Sequence, residues 1–160
     1  MRVETRKTVV QIFSIRYLRE FLAETLGTFA LVIFGDGAVA QVVLGNAARG
    51  DTFFGGFLNI SLGYGLALMI GICISGGVSG GHLNPAVTLA MAALRKLKPI
   101  QVTIMHKSCS NDVASPQVPV YMAGQYLGAF LAALVLWGEY ADAIKMVSMC
   151  IYSIFLIINI

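Results

Sequence analysis

Along most of this chain the apolar residues neither alternate nor recur as helical stripes; they run on. Phe21 to Leu44 is interrupted by charge only at Glu24 and Asp36, Phe53 to Gly77 carries no charge, and neither does Val118 to Gly138. About 20 helical residues cross the roughly 30 Å of hydrocarbon in a bilayer. The pattern therefore predicts three membrane-spanning helices, near 21–44, 53–77 and 118–138. Between the second and third lies a segment of another kind, "SGGHLNPAVTLAMAALRKL" at 79–97. Asn84 is a good N-cap, and Pro85 suits a first helical position, where its missing N–H would be unpaired anyway. The helix predicted over 85–95 ends where Arg95 and Lys96 complement the negative end of its dipole. About 11 residues reach roughly 16 Å, half the hydrocarbon thickness.

A half-length apolar helix with its basic end at the surface puts its amino terminus near the bilayer midplane. The glycine-rich approach, Gly76-Gly77-Val78-Ser79-Gly80-Gly81-His82, is then extended backbone at membrane depth. Such backbone is tolerated only inside protein or along a water-filled cavity. Carbonyls of Gly80, Gly81 and His82 can there accept hydrogen bonds from water or a hydroxyl, while the Asn84 amide and the positive helix end donate to an oxygen and disfavour cations. The predicted fold class is all-α integral membrane, with three transmembrane helices and one re-entrant half-helix.

Composition agrees: 58% of the residues are hydrophobic and 12% charged, against about 25% charged in soluble domains. The formal net charge of +3 is concentrated in two clusters, Arg2, Arg6, Lys7, Arg16 and Arg19 before the first span and Arg95, Lys96, Lys98 and Lys107 after the second. With a cytoplasmic amino terminus both clusters fall on the cytoplasmic side, as the positive-inside rule requires. They read as topology signals, not as a nucleic-acid surface. Residues 1–20 are expected to form a cytoplasmic basic segment. Its apolar patch Val9 to Ile15 is too short for a span and lacks a convincing cleavage site, so the first span is expected to act as an uncleaved anchor. The plasma membrane is the expected location, an expectation separate from the anchor. Cys73, Cys109 and Cys150 suggest neither a disulfide framework nor a metal cluster.

Polar residues inside the spans need partners. A carboxylate such as Glu24 costs on the order of 3 kcal/mol in a membrane helix and normally faces the bundle interior or a wet cavity, which favours a hydrogen-bonded acceptor over a proton carrier. Asp36 carries the same cost with no obvious partner. Gln125 sits within Gly124-Gln125-Tyr126-Leu127-Gly128, and Ala23 to Gly27 is a second small-xxx-small pattern; both suit close helix packing. Gly45 to Asp51 is expected as an external turn, Lys98 to Gln117 as a cytoplasmic loop. Glu139, Asp142 and Lys145 mark a membrane exit, followed by an apolar tail over 145–160. The Asn59-Ile60-Ser61 sequon lies too near the apolar run to favour use. Ser79 and His82 lack an orienting acid for hydrolysis, Glu24 being remote in sequence, and His82 lacks a second metal ligand at helical spacing.

Ser79-Gly80-Gly81-His82-Leu83-Asn84-Pro85-Ala86-Val87-Thr88 resembles the first Asn-Pro-Ala box of the aquaporin, or major intrinsic protein, family. Ala23-Glu24-Thr25-Leu26-Gly27-Thr28 resembles the acidic motif of that family's first helix, and Ala123 to Ala129 its glutamine motif. Phe34 to Leu44, and Leu83 before Asn84, are similar to the glycerol-conducting branch. The resemblance covers about Phe21 to Ile144 apart from the loop, so 21–144 is expected to be the first inverted repeat of a two-repeat bundle.

The resemblance implies a passive channel for water and small uncharged polyols such as glycerol, commonly tetrameric, with no cofactor and no catalysis. It implies that Tyr64, Gly80, Gly81, His82, Asn84, Pro85 and Ala86 form the pore-lining and selectivity set, with Glu24 and Gln125 bracing the pore loop. The chain shows no second Asn-Pro-Ala box, and Asp36 replaces the small or cysteine residue more usual there. A truncated product is thus expected, with a non-conducting subunit that modulates or misassembles with full-length channels as the alternative.

Overall fold

The computed structural model describes residues 2–94 and 117–158, with side chains over 15–94 and 117–149. Among the described residues the elements are four helices: α1 (Arg2–Arg49), α2 (Phe57–Ser75), α3 (Pro85–Ala93) and α4 (Gln117–Ile158). Three contain stretches long and apolar enough to cross a membrane, Ile15–Arg49, Phe57–Ser75 and Gln117–Met149. Helix α1 lies in the middle, against α2 and α4, while α3 packs on α4. This is the expected all-α membrane architecture, with a short helix between the second and third spans.

The interior is the reverse of a soluble core. Among the buried side chains are Ala23, Ala30, Ala67 and Ala132 together with Glu24, Thr25, Thr28, Ser75, Thr88 and Gln125, whereas Leu22, Leu26, Leu66, Met69, Phe130 and Leu134 are exposed. Lipid is as apolar as leucine, so large aliphatic side chains gain nothing by turning inward. Helix association rests instead on close backbone approach and interhelical hydrogen bonds. A Cβ on Gly124 would fall 2.7 Å from the Phe21 carbonyl oxygen, and one on Gly128 nearer still to that of Thr25. On the opposite side of α1, Gly27 and Gly71 make the same kind of contact with α2.

The helices are longer than the apolar runs. Helix α1 begins well before Phe21 and passes Leu44 to end at Arg49, and α4 continues through Glu139, Asp142 and Lys145 as far as Ile158. Arg, Glu and Lys are good helix formers, and no proline interrupts either stretch. The i,i+4 pair of Arg16 and Glu20 at 2.8 Å and the i,i+3 pair of Asp142 and Lys145 at 3.5 Å support the extensions. Charges can mark where a helix leaves the membrane without ending it. Helix α2 starts at Phe57 rather than Phe53. The basic residues Arg95, Lys96, Lys98 and Lys107 and the loop up to residue 116 lie outside the described residues, as do the side chains of Arg2, Arg6 and Lys7.

The connection between α1 and α2 is therefore shifted to residues 50–56. Gly50, at φ +73°, closes α1 by donating its N–H to the Asn46 carbonyl at 2.8 Å, the left-handed ending that glycine accommodates best. Asn46 holds the turn from both sides: its Nδ2 donates to the Gly55 carbonyl at 2.7 Å, and its Oδ1 accepts from the Phe54 N–H at 2.9 Å. Arg49 lies over the Phe53 ring, 4.4 Å from its centroid. The same guanidinium, aided by the Phe53 N–H, holds the Asp51 carboxyl below the usual carboxylate range. Asn46→Ala is expected to cost about 1–2 kcal/mol, two ordinary hydrogen bonds. Thermal unfolding in detergent and faster proteolysis between residues 50 and 56 will measure it.

Candidate functional site

Past Ser75 the chain turns tightly, with the N–H groups of Val78 and Ser79 on the Ser75 carbonyl and that of Gly80 on the Gly76 carbonyl. It then runs back toward α1 through three left-handed residues, Gly80 at φ +94°, Gly81 at +67° and Leu83 at +53°. For leucine that conformation costs about 1–2 kcal/mol, so something must hold it. Glu24 does.

The Glu24 carboxylate is fully buried and accepts four hydrogen bonds. On Oε1 it receives the Ser79 hydroxyl at 2.5 Å and the His82 N–H at 3.0 Å. On Oε2 it receives the Leu83 N–H at 2.8 Å and Gln125 Nε2 at 2.7 Å. Four donors match the roughly four lone-pair sites a carboxylate offers. One side chain on α1 thus fixes the loop backbone and ties it to α4. Because a carboxylate only accepts, the contact also fixes which end of the Gln125 amide faces it; the buried Oε1 at the other end has no hydrogen-bond partner among the described residues.

Gln125 Nε2 also donates to the Thr88 hydroxyl at 2.9 Å, and that hydroxyl donates to the Asn84 carbonyl at 3.2 Å. With its single proton so placed, Thr88 accepts from His82 Nδ1, 3.2 Å away. His82 Nε2 is then left as an acceptor. The ring packs edge-on against Tyr121, centroids 5.1 Å apart, and the Tyr121 hydroxyl donates to the Ser79 carbonyl at 2.8 Å. Ser79 is buried and committed to Glu24, and its hydroxyl does not meet the His82 ring. The serine and histidine therefore do not form a nucleophile and base, even though the structure brings an acid to them.

Asn84 caps α3 as expected, its Oδ1 accepting the Ala86 N–H at 2.8 Å, with Pro85 in the first turn. That contact aims the Nδ2 donors away from the helix, and Asn84 is exposed within the chain, as are Gly80 and Ala86. Gly81, His82 and Pro85 are half-buried beside them. The helix is nine residues long and is capped at Leu94; Arg95 lies outside the described residues.

Tyr64 does not touch this cluster. It lies eleven residues before Ser75 on α2, about 16 Å along the helix. Its hydroxyl donates to Asp36 Oδ1 on α1, supplying the partner that sequence alone did not reveal. Its ring lies against Gly35, where an added Cβ would be 2.7 Å from Cε1.

Three participants carried no role in the sequence reading: Thr88, Tyr121 and Ser79 as a donor. A signal for part of this was present. Glu20, Glu24 and Thr28 recur every four residues on α1, as do Gln117, Tyr121 and Gln125 on α4. Residues four apart share a helix face, and the two polar stripes meet: Gln117 Nε2 lies 3.4 Å from both Glu20 oxygens, one turn along α1 and two along α4 from the Gln125–Glu24 contact.

Comparison with known proteins matches residues 11–154 to the family model described as Major intrinsic protein. The chain is 48% identical over 127 residues to Aquaporin-10 of Milnesium tardigradum, covering 79% of this chain and 26% of that one. It is 39% identical over 126 residues to Aquaporin-9 of Homo sapiens, covering 79% and 36%. The X-ray structure of the aquaglyceroporin from Plasmodium falciparum aligns with a TM-score of 0.62 at 33% identity, covering 81% of this chain and 44% of that one. The chain thus spans about a quarter to a third of the length of these curated relatives.

Proposed function

Because the chain belongs to the major intrinsic protein family, we propose that it forms one half of a passive membrane pore for water and small uncharged polyols such as glycerol. The observation that carries this reading is the Glu24-braced loop, which leaves the Asn84 amide exposed beside Gly80 and His82. The carbonyls of Gly80, Gly81 and His82 accept from a solute hydroxyl while Asn84 Nδ2 donates to its oxygen. Pro85 and Ala86 set the helix end whose positive dipole disfavours cations. Glu24 and Gln125 are positioning residues, and Tyr64 lines a narrower region toward the external end. Solute passes without covalent change, so no catalytic group or cofactor is required.

A pore of this design needs a second half-helix facing Asn84, from another segment or another copy, within an oligomer that is tetrameric by family likeness. Residues 1–20 lie on the cytoplasmic side of a plasma membrane. A second reading, a subunit that does not conduct but modulates full-length channels, is favoured by the exposure of α2 and of Val87 and Leu89 on α3, faces this chain does not itself cover.

Vesicles containing the full chain are expected to take up glycerol and water faster than empty vesicles. Asn84→Asp keeps the capping oxygen but removes the Nδ2 donors, and should lower glycerol uptake by about fivefold, the worth of one ordinary hydrogen bond. Uptake equal to that of empty vesicles rejects autonomous conduction; a fall in a full-length relative's permeability on co-expression then supports the modulatory reading.

A further inference from the structure

Asp36 is an exposed carboxylate within the apolar stretch Ile15–Arg49 of α1. Such a group is costly against lipid and is kept where it faces a cavity or water. It has a particular neighbour: the Tyr64 hydroxyl donates to Oδ1 across the α1–α2 contact. The residue before it, Gly35, is buried beneath the Tyr64 ring, and a Cβ there would come within 2.7–2.8 Å of Cε1 and Cδ1. The ring is therefore fixed twice, at its edge by a hydrogen bond and at its face by the absence of a side chain. One turn further along α1 toward its carboxyl end the helices stay close, since a Cβ on Gly63 would meet Ala38 Cβ at 2.6 Å.

We propose that Asp36 and Gly35 are specificity-determining positioning residues, which hold the Tyr64 ring flat on the α1 wall and so keep open the clearance that admits a polyol as well as water. This rests on the channel reading above and deepens it. Tyr64 is partly exposed, so a ring released from Asp36 is free to turn away from α1 into the solute path. That motion obstructs glycerol before it obstructs water, because glycerol is the wider solute. A carboxylate does this better than a neutral small residue, since hydrogen bonds to an ionised acceptor are shorter and stronger.

The test compares wild type, Asp36→Ala, Asp36→Asn, Tyr64→Phe and the Asp36→Ala/Tyr64→Phe double variant, as full chains in vesicles and in detergent. A lost hydrogen bond shifts a two-state balance by about fivefold. The glycerol-to-water permeability ratio should fall by about that factor in Asp36→Ala and Tyr64→Phe alike, with no further fall in the double variant. Asp36→Asn keeps an oxygen acceptor and should restore the ratio relative to Asp36→Ala. Gly35→Ala, which displaces the ring while leaving both hydrogen-bonding groups in the chain, should lower the ratio as well. Thermal melting in detergent reads the contact independently of transport: the double variant should melt no lower than the more affected single one.

Additive melting losses, or a ratio unmoved in Asp36→Ala while wild type conducts both solutes, overturn the proposal and leave the channel reading standing. Equal loss in Asp36→Asn and Asp36→Ala with Tyr64→Phe silent also overturns it, assigning the effect to the charge. A wild-type chain that passes neither solute overturns the channel reading, and this one with it.

Discussion

Glu24→Ala is expected to destabilise the folded chain by about 3–6 kcal/mol, because each buried donor stripped of its partner costs about 1–3 kcal/mol. Of the four donors on this carboxylate, the Ser79 hydroxyl has an alternative in the Ser75 carbonyl at 3.2 Å, and Gln125 Nε2 keeps its other proton on the Thr88 hydroxyl at 2.9 Å. The N–H groups of His82 and Leu83 and one N–H of the Gln125 amide are left facing a cavity. Leu83 then loses the contact that offsets its left-handed backbone, and Asn84, the next residue, loses its fixed position. Melting in detergent should fall sharply, and the amides of residues 82 and 83 should exchange with solvent much faster. Glu24→Gln should be milder yet still harmful, since its NH2 group turns two donors toward donors. If Glu24→Ala melts with wild type and those amides stay protected, Glu24 does not hold the loop.

The second large effect is expected at Gly128. A Cβ there would overlap the Thr25 carbonyl, which is backbone and cannot turn aside. Gly128→Ala should push α4 from α1 at a cost of about 2–3 kcal/mol, the upper part of the range for overpacking. Gln125 lies one turn away, so the displacement also lengthens its contact with Glu24, and stability and permeability should fall together. Gly138 is the control on the same helix, where an added Cβ meets nothing within 4 Å. Gly138→Ala should stabilise by about 1 kcal/mol through helix propensity alone. Equal responses at the two glycines would mean that α1 and α4 do not pack as described.

Much of the membrane architecture was legible because hydropathy over some twenty residues is a local property. The half-helix was legible for a similar reason: Asn84, Pro85 and the glycines before them act on backbone within one turn. Helix ends were less legible, since charges such as Glu139 and Lys145 suggest a membrane exit but do not end a helix, and α4 runs on past both. The partners of Glu24 and Asp36 were hidden by separation along the chain. Ser79 is 55 residues from Glu24, and Tyr64 is 28 from Asp36. No spacing rule spans such distances; only the four-residue recurrence of polar side chains on α1 and α4 pointed to the faces that meet.

Leu83 illustrates what neither hydropathy nor turn chemistry anticipates, a bulky side chain where glycine would be expected. Its side chain is lodged at the crossing of α1 and α2, where a Cβ on Gly27 or Gly71 would fall within 2.5–2.8 Å of its methyl groups. The residue that bends the loop is thus also the spacer between two helices. Loop shape and helix separation are consequently one coordinate rather than two, and any shift of α2 against α1 is geared, through a single residue, to the position of the Asn84 amide.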